Sequence, residues 1–217
     1  MSARAEAELG FEHVLVRGSG DWTLLLLHAT GGDEHQLLQL GRDLSPDANL
    51  LSPRGQVLEG GTVRRFFARR GMLDLDIPDL LVRTDQLADF VAAASAAYAL
   101  DPERIVAVGY SNGANIAVSL LLRHPGALAG AVLLRPTLPY APDPAAPLRL
   151  DGKPILILGG EQDPYVPRER YDQLVSVLNG AGADVTPALA PGGHHLGPEE
   201  LQQAMEWVSE HVPRNRR

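Results

Sequence analysis

The chain has 217 residues, 45% of them hydrophobic and none cysteine; this length suits one large α/β domain that buries roughly 70% of its unfolded surface without disulfides or metals, and thiol catalysis and Cys-ligated metals are excluded. A formal net charge of -8 opposes nucleic-acid binding, which needs a basic face. No run approaches the ~18 apolar residues of a membrane-spanning helix, and Met1–Gly10, with Arg4, Glu6 and Glu8 and no apolar core, does not read as a secretory signal, so a cytoplasmic protein without membrane insertion is expected.

In chain order, Val14-Leu15-Val16 is a short candidate strand and Trp22 to Leu27 a buried one. His28 to Glu34 is a loop by its glycines, and Leu37, Leu38, Leu40 and Leu44 give His35 to Leu44 a helical period. Asn49 to Ser52 is a short strand ending at Pro53, and Pro78 to Leu100 is the longest helical segment, opened by Pro78 and stopped by Asp101-Pro102. Ile105 to Gly109 is a strand and Asn112 to Arg123 a helix closed by His124-Pro125-Gly126. Ala131 to Leu134 and Ile155 to Leu158 are continuous apolar runs, as in parallel strands covered on both faces. Arg168 to Leu178 reads as a helix, Val185 to Leu189 as a strand and Pro198 to His211 as a final helix. Pro139 to Pro147 reads as a loop inside the domain, and Arg214-Asn215-Arg216-Arg217 as a solvated tail. Strands and helices alternate throughout, which predicts a mostly parallel, doubly wound α/β sheet in one domain over 1–217, with its core at about 12–212.

The most informative segment is Ile105-Val106-Ala107-Val108-Gly109-Tyr110-Ser111-Asn112-Gly113. An apolar strand runs into Gly-x-Ser-x-Gly and a helix starts at once, which is the setting of a nucleophile elbow. A serine hydroxyl needs a base to take its proton, and the usual base is a histidine held in one tautomer by a carboxylate. On such a fold the chain order is Ser, acid, His. Downstream of Ser111, Asp163 lies on the carboxyl side of a strand, the edge where active sites of open α/β sheets lie. Glu161 shares its loop, and Asp143, after the preceding strand, is the rival acid. Asp151 and Asp184 precede strands, while Glu169 and Asp172 fall within a helix.

For the base, Gly192-Gly193-His194-His195 lies between the last strand and the last helix, and both histidines compete. His13, His35, His124 and His211 read as surface residues. An oxyanion hole takes one donor from the N–H after the nucleophile, here Asn112, and another from the Gly-rich loop His28-Ala29-Thr30-Gly31-Gly32, where the Thr30 N–H is favoured. Phe66, Phe67, Met72, Leu138, Tyr140 and Tyr165 fall in connections near the expected mouth, as pocket lining or as satellite core. Arg64, Arg65, Arg69 and Arg70 form a basic cluster that reads as a solvated loop or as a greeting for an anionic substrate. Without His-Glu-x-x-His spacing no metal is expected, and the chemistry calls for no cofactor.

From about Glu12 to Val208 the chain resembles the phospholipase/carboxylesterase family of α/β-hydrolases, relatives of the acyl-protein thioesterases, and among them the small bacterial carboxylesterases. The resemblance rests on Leu27-His28-Ala29-Thr30-Gly31-Gly32-Asp33-Glu34, Ser52-Pro53-Arg54-Gly55, Gly109-Tyr110-Ser111-Asn112-Gly113, Gly160 to Pro167, and Gly193-His194-His195-Leu196. It implies an α/β-hydrolase fold without a large lid, Ser111 as nucleophile, Asp163 as acid and, from the family's Gly-His-x-Leu, His194 rather than His195 as base. It also implies a small-molecule ester as substrate, and suggests a homodimer. The main expectation is thus a serine carboxylesterase for short-chain esters. The alternatives are an acyl-protein or acyl-CoA thioesterase or lysophospholipase, and a non-catalytic small-molecule binding protein on the same fold. Two departures from the family are Ala29, where glycine is usual, and Gly197, where a helix-capping residue is common; the latter implies a less well capped final helix.

Overall fold

A computed structural model of the chain describes residues 9–143, 145 and 147–212. The acidic start before residue 9, the basic tail and two positions of the Pro/Ala-rich loop lie outside the described residues. The elements are β1 (His13–Val16), β2 (Thr23–Leu27), α1 (Leu38–Leu44), β3 (Asn49–Pro53), β4 (Val57–Glu59), β5 (Val63–Arg65), α2 (Ile77–Tyr98), β6 (Ile105–Tyr110), α3 (Asn112–Arg123), β7 (Gly130–Leu134), β8 (Pro154–Gly160), α4 (Arg168–Gly180), β9 (Asp184–Ala190) and α5 (Pro198–His211).

Seven strands form one sheet in the order β1-β3-β2-β6-β7-β8-β9, antiparallel only at β1. The inner strands β2, β6, β7 and β8 are largely apolar and buried, and alternate residues feed opposite cores. Leu25, Leu27, Ile105, Ala107, Leu133 and Ile157 pack with α2, α3 and α4, whereas Leu24, Leu26, Val106, Val108, Leu134 and Leu158 pack with α1 and α5. Helices on both faces make this the doubly wound α/β sheet that the strand–helix alternation predicts, in keeping with the α/β-hydrolase fold that the resemblance implies. The chain builds outward from β2 to β3 and then returns to β6, so strand order reverses between β2 and β6, where such sheets open a crevice.

Some expectations need correction. The first helix starts at Leu38, not His35, because the Asp33 carboxylate accepts the His35 N–H (2.9 Å) and the chain turns through i→i+3 bonds before the helix begins. The β4–β5 hairpin has no counterpart in the sequence reading. Its strands are three residues each, too short for a period, and its turn uses Gly60 and Gly61, both at positive φ. His13 is buried rather than on the surface, and its ring nitrogens bond Phe11 O and Tyr98 Oη, both at 2.7 Å. The final helix is not poorly capped: the Gly197 N–H donates to Glu200 Oε2 at 2.8 Å, supplying the cap from the helix side.

Candidate active site

Ser111 sits between β6 and α3 with φ 53° and ψ -110°, a left-handed backbone that a serine adopts only under constraint. The constraint is visible around it. Its N–H donates to Leu134 O at 2.8 Å, and a Cβ on Gly113 would lie 1.9 Å from Leu27 O. A Cβ on Gly109 would lie 2.6 Å from Gly113 O, so both motif glycines are steric requirements of strand and helix crossing at contact distance.

Asp163 and His194 arrive on the loops after β8 and β9, at the same sheet edge. These loops are tied backbone to backbone, with Gln162 N–H donating to Gly192 O at 3.0 Å and Glu161 N–H to Ala190 O at 2.9 Å. A Cβ on Gly160 would lie 2.3 Å from Gly193 O, which lets the loops touch. His194 Nε2 lies 2.9 Å from Ser111 Oγ, and His194 Nδ1 lies 2.7 Å from Asp163 Oδ2. The Asp163 side chain is fully buried, and its other oxygen accepts the Tyr165 N–H at 2.8 Å. The imidazole is walled by Tyr110, stacked at 5.8 Å and donating its hydroxyl to His194 O, and by Tyr165, edge-on at 4.8 Å. The rivals do not join this chain of bonds: Asp143 is exposed and caps the Ala145 N–H, Glu161 is exposed, and His195, although it lines the same cleft, is tied to the network through its backbone carbonyl, which accepts from Arg135.

In the loop after β2, three N–H groups already have acceptors. Ala29 N–H donates to Gln36 Oε1 (2.8 Å), Gly31 N–H to Arg64 O (2.8 Å) and Gly32 N–H to Ala29 O (3.0 Å). The Thr30 N–H has none among the described residues. The Asn112 N–H, at the first turn of α3, has no intrahelical acceptor. The loop is pinned by His28, buried against Phe66, whose Nδ1 donates to Ala29 O (2.7 Å) while Nε2 accepts the Gly55 N–H (2.8 Å). That tautomer is neutral, and burial lowers the His28 pKa in the same sense.

Sequence reasoning missed Arg135 and Glu200. Arg135 follows β7 at φ 57° and is fully buried. It grips Glu200 with two bonds (2.5 and 2.9 Å) and donates to Gly193 O and His195 O, both at 2.8 Å, on either side of His194. Its Nε lies 4.0 Å from Asp163 Oδ2. Only an arginine following an apolar strand hinted at this role.

Ser111, Thr30, Asn112 and His194 open on a cleft of about 940 Å³, which Met72, Leu138 and Tyr165 also line. Phe66 and Phe67 do not line it, and their assignment to the pocket is corrected: both are fully buried in the core beneath the loop. Tyr140 is also away from the cleft, bonding Ser119 behind α3.

The family model for phospholipase/carboxylesterase matches residues 79–212. The chain is 43% identical over 205 residues to the protein named "Putative hydrolase MhqD" of Bacillus subtilis, covering 93% of this chain and 99% of that one. The crystal structure of a Bacillus cereus carboxylesterase superimposes with a TM-score of 0.90 at 39% identity, over 96% of this chain and 98% of that one. Acyl-protein thioesterase 1 of Gibberella zeae is 33% identical over 119 residues, about half of either chain. With its sheet, its elbow and these relatives in agreement, the chain belongs to the phospholipase/carboxylesterase family of hydrolases.

Proposed function

We propose that this protein is a serine carboxylesterase that hydrolyses small or short-chain carboxylic esters through an acyl-enzyme. The carrying observation is the unbroken chain of hydrogen bonds from Ser111 Oγ through both nitrogens of His194 to the buried Asp163. Asp163 accepts from Nδ1 and so leaves Nε2 free to take the serine proton as Oγ attacks the ester carbonyl. The developing oxyanion is met by the Thr30 and Asn112 N–H groups, donors fixed before the reaction and therefore free of reorganisation cost. His194 then returns its proton to the departing alkoxide, and in the second half of the reaction it activates water against the acyl-serine.

The test is hydrolysis of a short-chain p-nitrophenyl ester together with labelling by a fluorophosphonate. Wild type turns over and is labelled, and Ser111→Ala does neither. Undiminished hydrolysis by Ser111→Ala overturns the reading, and a folded wild type that neither hydrolyses nor labels favours a binding role. A second reading, thioester hydrolysis, uses the same groups and is favoured by the match to a fungal protein named as an acyl-protein thioesterase. A panel of paired esters and thioesters ranks the two.

A further inference from the structure

The cleft wall beside Thr30 carries a charge that the reaction above does not use. Arg65, the last residue of β5, lines the cleft while being only 4% exposed. Its Nη1 donates to Thr30 Oγ1 at 2.7 Å and its Nε to Phe67 O at 3.0 Å, so the guanidinium is fixed directly behind the oxyanion loop. Its nearest acid is Glu59 at 3.6 Å, beyond hydrogen-bond length, and that carboxylate is bonded at 2.8 Å to a second cleft residue, Arg69. One carboxylate thus stands between two guanidinium groups, and the Nη2 end of Arg65 takes no acceptor among the described residues. Burial, with Arg69 adding repulsion, pushes the Arg65 pKa down to about 10, which leaves it cationic at neutral pH but poorly compensated. Among the other charged residues lining the cleft, Arg135 is matched by Glu200, Arg170 has no ion pair among the described residues, and Asp74 is the one acid.

A buried, under-neutralised guanidinium is costly unless an anion completes it. The planar fork of arginine suits a carboxylate. We propose that the substrate is an ester bearing a carboxylate on its acyl chain, a half-ester of a short dicarboxylic acid, and that Arg65 reads that carboxylate. The proposal rests on the serine-esterase reading and adds a substrate class to it. The side follows from the chemistry: the leaving alcohol must face His194, which protonates it, so the acyl chain runs along the wall that carries Thr30 and Arg65. The length follows from the contact: a group bonded to the far end of a guanidinium that already touches Thr30 lies only a few bonds from the carbonyl held by the Thr30 N–H.

The experiment compares kcat/KM for monoethyl succinate with that for ethyl 4-methylpentanoate, in which an isopropyl group replaces the carboxylate. Wild type is expected to favour the half-ester by about tenfold to a hundredfold, the effect of a charge-assisted hydrogen bond, and the preference shrinks with salt. Arg65→Met abolishes the preference and Arg65→Lys retains part of it. Because both esters share the oxyanion loop, damage to Thr30 slows them equally and leaves the ratio unchanged; an Arg65→Met protein with the wild-type ratio overturns the proposal. So does a wild type that turns over the neutral ester equally well or better, an outcome that leaves the esterase reading standing. If Arg65→Met does not fold, the wild-type ratio and its salt dependence decide. If neither ester is hydrolysed and Ser111 resists the fluorophosphonate, the esterase reading fails by itself. Calorimetry with succinate then decides the anion site: binding by wild type that weakens at least about tenfold in Arg65→Lys supports it, and absence of binding overturns it.

Discussion

Asp163 uses both of its carboxylate oxygens as acceptors. One oxygen is occupied by the Tyr165 N–H and the other faces His194 Nδ1 at 2.7 Å, so the carboxylate is an acceptor on both sides. In Asp163→Asn the amide has a donor as well as an acceptor, and the imidazole can be held in the tautomer whose Nε2 already carries a proton. On the proposed mechanism, kcat falls about 10⁴-fold with KM little changed, measured under steady-state conditions on a short-chain ester. Ser111, Asp163 and His194 could be picked from the sequence because each follows an apolar run, and parallel strands deliver their carboxyl ends to one edge. Arg135 and Glu200 could not. They are 65 positions apart, each lies beside an ordinary loop or helix start, and their pairing depends on the left-handed backbone of Arg135. Phe66 and Phe67 misled in the opposite direction, since an aromatic pair in a connection looks the same whether it faces the cleft or the core.

At the scale of elements, the site is a set of loop tips held by strand ends, and two devices hold them. The first is the close crossing of β2, β6 and α3. The Cβ of Gly113→Ala would meet backbone atoms of Leu27, which cannot move without disturbing β2, so unfolding free energy should fall by at least about 3 kcal/mol in urea titrations. Gly126→Ala, exposed in the turn after α3 with open space around it, should stay within about 0.5 kcal/mol of wild type. The second device is the buried pair of Arg135 and Glu200, which binds the start of α5 to both flanks of His194. Arg135→Met strands the Glu200 carboxylate and should cost about 3–5 kcal/mol. The double variant Arg135→Met/Glu200→Leu removes both charges and should recover much of that stability, yet Gly193 O and His195 O still lack their donor. Its kcat is therefore expected to stay low with KM near wild type, which separates positioning of the imidazole from stability. The long helices were readable from periodicity and stop signals. The β4–β5 hairpin that presents Arg65 was not, because three-residue strands are held by tertiary contacts and show no period of their own.

At the scale of the whole molecule, alternation of strands and helices was enough to predict a doubly wound sheet, but the order of its strands depends on which loops cross over, and local sequence does not encode that. The acid response of the molecule also depends on contacts between distant segments. Glu34, in the loop after β2, is clasped by Arg54, which follows β3 and also bonds Glu12 ahead of β1. The bonds from Arg54 hold the Glu34 carboxyl down from 4.5 to about 2. A carboxyl whose folded pKa is depressed stabilises the protein fully above its unfolded value, and the benefit drains away as pH falls from that value toward the folded one. Glu34 thus predicts an acid limb between about pH 4.5 and 2. His28 adds a limb at higher pH. Burial lowers its pKa from 6.5, so below that pH the unfolded chain binds a proton that the folded chain resists, and stability falls as the medium acidifies. Both groups belong to the segment that carries Thr30, so acid should loosen that loop, the proposed oxyanion loop, as it weakens the fold. Urea midpoints measured from pH 7 down to 3 should decline in wild type. In Glu34→Gln the midpoint should start lower at pH 7 and fall less steeply below about pH 4.5. A variant whose acid limb remained parallel to that of wild type would show that the Glu34–Arg54 clasp is not its source.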